Sequence, residues 1–322
     1  MTSQYRSTII GLDLSSTSAP RGFASDDSTD AQAFIMGRLA GLATLADKGG
    51  VDLLALDSSF RLGGRRRDDW LDGAVAAARL GRHTSRATIA AAVPANGDIA
   101  SVADAIGTIH KATVGRAAWQ IDQHAPRLST RGIDAITSHV SSGRKVENAP
   151  QVVIAVDSAV DLELAAGRAD IARVRPASLA QAIEIRSAIR QAARDWGRDA
   201  DAVKVVVDLT AVIGSDDEGA QARADLLSAL DPSAEPTTLT FVGTATGLAD
   251  LWQEWVDAGA ADGFTIIPTS VPTDVLAVVT EVLPELERRG LRNTVPPVPE
   301  TADTPARAGA RARARRQQPV AA

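Results

Sequence analysis

The sequence predicts an α/β fold, a closed (β/α)8 TIM barrel, and three observations predict it. Short β-branched runs alternate with longer amphipathic segments from one end of the chain to about residue 290. The runs are almost wholly apolar, as strands of a parallel sheet covered by helices are. There are eight strand–helix units, the number that closes a barrel of about 250 residues. An open doubly wound sheet is disfavoured because the first turn, Asp13-Leu14-Ser15-Ser16-Thr17, lacks the glycine fingerprint of a dinucleotide fold.

The elements read in order as follows. Residues 7–14 (STIIGLDL) form the first strand, and residues 31–46 its helix, with Phe34, Leu39, Leu42 and Leu45 at helical spacing. Lys48-Gly49-Gly50 ends that helix, since glycine accepts the left-handed position beyond a helix. Strand 51–56 and helix 69–80 follow, then strand 87–93 and helix 99–113. Residues 116–121 make a weaker fourth strand with helix 131–142. Strand 151–156 precedes helix 159–167, strand 171–174 precedes helix 179–196, and strand 203–212 precedes helix 218–230. A short extra run at 239–242 and helix 248–258 intervene before the eighth strand, 264–267, and a last helix, 273–289. The barrel is expected to span residues 1–293. Residues 294–322, rich in Pro, Ala and Arg without apolar period, are expected to form a disordered tail.

Composition removes several classes of function. The chain has no cysteine, which excludes disulfides, thiolate metal sites and a cysteine nucleophile. Its four histidines, His83, His110, His124 and His139, show no metal-ligand spacing, so no metal site is expected. Six arginines against Glu300 and Asp303 leave residues 291–322 at +4, and so the rest of the chain at −10 of the total −6. An acidic body with 3% aromatics does not suit nucleic acid. No apolar run approaches the roughly 20 residues of a membrane span, and no secretory signal pattern opens the chain, so a cytoplasmic location is expected.

Four stretches resemble one family in its own order along the chain. They are Leu71 to Arg86 with AVAAARLGRHTSR, Gly115-Arg116-Ala117-Ala118-Trp119-Gln120, Asp157 to Asp170 (DSAVDLELAAGRAD), and the end of the chain. That end runs Phe241-Val242-Gly243-Thr244, then Ala261-Asp262-Gly263-Phe264, then VLPELERRGL. Together they resemble the bacterial luciferase-like, flavin-dependent monooxygenases, in particular the nitrilotriacetate and dibenzothiophene-sulfone monooxygenase branch. The resemblance implies a flavoprotein oxidoreductase that uses reduced FMN and dioxygen on a small organic substrate. It also implies a separate flavin reductase as partner, and a homodimer or a heterodimer with a related barrel. A deazaflavin, used by a sister branch, is the alternative cofactor. The resemblance is to a shortened member, because only residues 121–150 join the fourth and fifth strands, where the family carries a long excursion. The alternative function is therefore a catalytically silent barrel acting as a partner subunit or scaffold.

Barrel function sits on the loops after the strands, which selects the candidate site. Asp57 and Ser58 follow the second strand, where the resemblance implies an acidic residue near the flavin ring; a turn role is the other reading. Arg65, Arg66 and Arg67 offer forked donors to an anion, or form a solvated charge run. Asn96 and Gln120 can hydrogen-bond a flavin edge, or serve a turn and the core. Ser158 can hold a phosphate or cap a helix. Thr269 and Ser270 follow the eighth strand, where barrels often bind phosphate, beside the alternative of capping. His124 is the histidine best placed for proton transfer. Trp252 and Trp255, three apart, mark a buried helix face or a dimer surface.

Overall fold

The computed structural model describes residues 8–18, 29–60, 72–93, 99–121, 129–142, 149–230 and 238–293. Its strands are β1 (Ile9–Asp13), β2 (Leu53–Leu56), β3 (Thr88–Val93), β4 (Ala117–Ile121), β5 (Gln151–Val156), β6 (Ile171–Val174), β7 (Lys204–Gly214), β8 (Leu239–Thr244) and β9 (Gly263–Pro268). The helices that alternate with them are α1 (Thr29–Gly49), α2 (Asp72–Leu80), α3 (Ile99–Ala112), α4 (Thr130–Ser142), α5 (Ala159–Arg168), α6 (Leu179–Asp195), α7 (Asp217–Leu230) and α8 (Ala245–Asp257).

All strand pairs are parallel, and β1 through β7 with β9 close into an eight-stranded barrel. Closure comes from β9, which pairs with β1 along Ile9 to Leu12 and with β7 along Val206 to Ala211. β8 is a ninth strand outside the ring, as expected of the extra run at 239–242. The reason is the length of β7. β6 pairs with β7 only as far as Val207, and β8 takes over from Leu209 to Gly214. Because β9 fills the other edge of β7 through Ala211, β8 lies on the edge that β6 has left.

The fourth strand, weak by composition, is buried at every residue. Alanine has poor intrinsic preference for strands, but both faces of β4 are covered, and packing overrides preference. Between β4 and β5 the described chain has α4 alone, so the connection is short, as its sequence requires.

The last helix runs unbroken over the predicted span and carries a π turn within it. It runs as α9 (Thr273–Ala277), a π-helical turn (Val278–Val282) and α10 (Leu283–Arg288). Pro284 has no N–H for the carbonyl of Thr280, and the N–H of Leu283 reaches back to Val278 instead, which widens the turn. The same turn meets the end of α1. A Cβ on Gly49 would stand 2.3 Å from Val279 Cγ1, so only glycine permits this approach.

The helix-facing sides of the strands and the helices build the main core. Trp252 and Trp255 of α8 are buried in it, and Trp252 stacks on Phe264 of β9 with centroids 4.8 Å apart. The first of their two readings, a buried face, is what is found. No helix among the described residues is long and apolar enough to cross a membrane. Residues 294–322, expected to be a tail, lie outside the described residues.

Candidate active site at the barrel mouth

Side chains alternate along each strand, so every second residue enters the lumen. Toward the strands' N-terminal ends these inward residues are Ile9, Leu53, Ala55, Ala90, Ala118, Val153, Ile171 and Val206, a separate apolar cluster. Two residues further along their strands, the inward positions become Ala92, Gln120, Ala155, Arg173 and Asp208, and on β1 Asp13 follows four residues after Ile9. The lumen therefore changes from apolar to charged within one layer.

The charged layer is organised by Arg173, which is 3% exposed. Its Nε donates to Asp208 Oδ1 at 2.8 Å, one terminal nitrogen to Asp13 Oδ2 at 2.8 Å, and the other to Gln120 Oε1 at 2.9 Å. The carboxylates are held in turn. The Ser15 N–H donates to Asp13 Oδ1, and Arg175 Nε approaches the second oxygen of the fully buried Asp208 at 3.4 Å. Burial works against the Arg173 charge, but the two aspartates outweigh it and hold its pKa above the ordinary arginine value. The guanidinium is charged at any accessible pH.

At the rim, Arg175 stands between Asp208 and Asp157, 3.7 Å from the latter, and its side chain is 35% exposed. Both contacts are long, and its remaining terminal nitrogen has no partner among the described residues. Asp57 accepts from the N–H and the hydroxyl of Ser59 on Oδ1, while its own N–H donates to Ser15. This is an Asx turn, and it leaves Oδ2 without a partner among the described residues.

The other candidates have committed hydrogen bonds. Ser158 caps α5: its hydroxyl accepts from the Asp161 N–H and donates to the Asp161 carboxylate at 2.6 Å. Thr269 donates to the Ala211 carbonyl and to Asp274, and the Ser270 N–H also donates to Asp274. Asp274 is fully buried and accepts as well from Arg223 and the Ile213 N–H, so this turn is a closed knot. Ser58 lies in the turn after β2 with Asp57. Arg65, Arg66, Arg67, Asn96 and His124 lie outside the described residues. No group of three metal-ligating side chains occurs among the described residues.

Sequence reasoning missed Asp13, Arg173, Arg175 and Asp208. A signal was present: IIGLD, IARV and VVVDLT are apolar runs that each contain one charge at an inward position. A charge buried in such a run needs a partner, and the three lone charges supply one another.

A parallel barrel with its polar groups gathered at the strands' C-terminal ends is the architecture of a TIM barrel, the fold in which sites form at that end. Its form is that of the luciferase-like monooxygenases. EDTA monooxygenase from Chelativorans sp. BNC1 superposes over 89% of this chain and 95% of its own, with a TM-score of 0.68 at 16% identity. A long-chain alkane monooxygenase covers 92% of this chain with a TM-score of 0.69, also at 16% identity. Locally the sequence likeness is higher. A stretch of 51 residues is 49% identical to N-acetyl-S-(2-succino)cysteine monooxygenase of Bacillus subtilis, and 52 residues are 44% identical to nitrilotriacetate monooxygenase component A of Aminobacter aminovorans. Each stretch covers 16% of this chain and 12% of the relative. No family model matches the chain. Other structures of the same shape include a Baeyer-Villiger monooxygenase solved with FMN and a coenzyme F420-dependent reductase. These likenesses establish the luciferase-like fold and bear out the resemblance read from the sequence.

Proposed function

We propose that this protein is a flavin-dependent monooxygenase that uses reduced FMN and dioxygen on a small organic substrate, with the reduced flavin delivered by a separate reductase. The observation that carries the reading is the barrel mouth. There Gln120 presents an amide beside the small side chain of Ala92 on β3 and the apolar Val153 on β5, in a fold shared with monooxygenases. Small inward residues leave room for a planar ring, and an amide can bond its polar edge. Bound reduced flavin would supply the electrons that activate dioxygen.

The residues present fit such a group. Gln120 would bond the ring edge, and the open oxygen of Asp57 would accept from a ring N–H. Arg175 would hold the phosphate through its unused donors, aided by Arg65, Arg66 and Arg67. Asn96 and His124 complete the residues to vary, His124 for proton transfer. Ser158, Thr269 and Ser270 are less suited, because an anion would have to displace Asp161 or Asp274 from them. The silent-barrel alternative is not favoured, since the similar structures above are themselves enzymes. A cytoplasmic, dimeric enzyme is part of the same proposal, supported by the absence of cysteine and by the family resemblance.

Anaerobic calorimetry with FMN, reduced FMN and a reduced deazaflavin tests this reading. Reduced FMN is expected to bind saturably, and Asp57→Ala and Arg175→Gln should each weaken it by about tenfold, the loss of one charge-assisted contact. Binding of the deazaflavin alone would overturn the FMN assignment. Binding of no flavin would overturn the enzyme reading.

A further inference from the structure

We infer that Arg173 is a positioning residue: it fixes the amide of Gln120 so that the floor of the barrel mouth presents a hydrogen-bond donor, and only a donor, to a bound ligand. The inference rests on the proposed flavin site for its ligand, but its structural part stands without it.

The two groups differ in what they can donate and accept. A guanidinium has five N–H donors and no acceptor, whereas a primary amide has one face of each kind. Arg173 can therefore meet Gln120 only at its oxygen, and it does so at 2.9 Å. The Nε2 of Gln120 must then face away from Arg173. Its neighbours across the sheet are Ala92 on β3 and Val153 on β5, whose side chains accept nothing. Among the described residues Nε2 has no partner, and Gln120 is 7% exposed. Two N–H bonds at the floor of the mouth are thus left for whatever binds there.

Arg173 is itself unable to turn. It reaches from β6 across the lumen to Asp13 on β1, three strands away through β7 and β9, and to Gln120 on β4, two strands away in the other direction. Asp13 is pinned by the Ser15 N–H, and Asp208 by Arg175. Without the guanidinium the glutamine amide would rotate freely and offer its oxygen as readily as its nitrogen. With it, the floor selects a ligand atom that accepts: a carbonyl oxygen or an unprotonated ring nitrogen of a planar heterocycle. A buried charge network of this kind brings little net stability compared with an apolar filling, so its use is in orientation.

The test combines binding with a direct view of the amide. Oxidised FMN is titrated into the wild type, Gln120→Leu, Arg173→Lys and the double variant. Lysine keeps the charge but cannot serve three acceptors in a plane. Each single change is expected to weaken FMN by roughly tenfold, and the double variant to be no weaker than Gln120→Leu. Additive losses would overturn the inference. In parallel, nitrogen-15 NMR of the glutamine side chains follows the Gln120 NH2 pair, assigned by its absence in Gln120→Leu. In the ligand-free wild type it should be a rigid pair that becomes mobile and shifted in Arg173→Lys. An unmoved, rigid pair in that variant would overturn the inference even if no flavin binds, whereas absence of flavin binding alone would remove only the proposed function. Should Arg173→Lys not fold, Arg173→Met with Asp208→Asn, which removes two opposite buried charges together, takes its place in both arms.

Discussion

The two halves of the barrel lumen are built from the same strands and obey opposite rules. Below, Leu53, Ala90, Val153, Ile171 and Val206 fill the ring with apolar volume. Above, further along the strands, Asp13, Arg173 and Asp208 place charge where water is excluded. Burial of apolar surface contributes about 25 cal/mol for each Å² removed from water, so the lower half stabilises the fold directly. Removing charges from water costs several kcal/mol for each ion, which mutual attraction offsets only with good geometry. The upper half is held to that geometry by what surrounds it. The difference teaches where to look for function: in the layer whose composition stability alone does not favour.

Four measurements would break or sharpen this contrast, beginning with the largest effect. Asp208→Ala strands the Arg173 charge beside one carboxylate, and should cost about 3–5 kcal/mol in urea unfolding. A loss under 1 kcal/mol would mean that the network is wet and not an interior feature. Leu53→Ala in the lower layer should cost about 2–5 kcal/mol through lost burial and a residual cavity. Flavin affinity of the folded variant should nevertheless stay within about twofold, because additivity holds for sites without shared partners. A matching loss of affinity would show that the layers are not separable.

The next concerns acid. Asp47, at the C-terminal end of α1, accepts from the Ser85 N–H and hydroxyl and from the N–H groups of Arg86 and Ala87, and so anchors the turn before β3. Burial pushes its carboxyl up, but these hydrogen bonds together outweigh it and hold the pKa below the ordinary 3.8. A lowered folded pKa gives stability that is present above the unfolded value and lost as pH falls through the folded one. Asp47→Asn should therefore destabilise the protein by about 1–2 kcal/mol at neutral pH and by progressively less as pH falls below the ordinary carboxylate value. Equal destabilisation at neutral and at acid pH would show that the carboxylate charge plays no part. The smallest effect is expected of Ile171→Val, about 1 kcal/mol, with flavin binding unchanged. Calorimetric melting checks the first part and the titration described above the second.

Much of this molecule was legible before its structure. The strands were visible because a strand covered on both faces is a short apolar run, as in QVVIAV and ATIAAAV. Residues 239–242 stood apart from the eight units and became β8 outside the ring. The last helix stands over its predicted span, but the π turn ahead of Pro284 is a detail of hydrogen bonding that apolar spacing does not show. Of the candidates, Asp57 is selected by its place after a strand and Gln120 by its amide within the fourth strand. Ser158, Thr269 and Ser270 have the same place, but only their partners reveal that their groups are committed.

What the sequence by itself determined is the periodicity: eight runs, their order, their parallel sense and the ends at which function gathers. Those follow from local chemistry and from the short connections, which act between neighbours in the chain. What only the tertiary structure decided is which lone charges meet. Asp13, Gln120, Arg173 and Asp208 are up to 195 positions apart in the chain, and no local pattern ties them together. Their meeting depends on closure of the ring by β9, which brings β1 round to face β4 and β6 across one lumen. Inside it, the low dielectric makes an unpaired charge too costly to keep, so the partners are fixed by geometry and not by sequence.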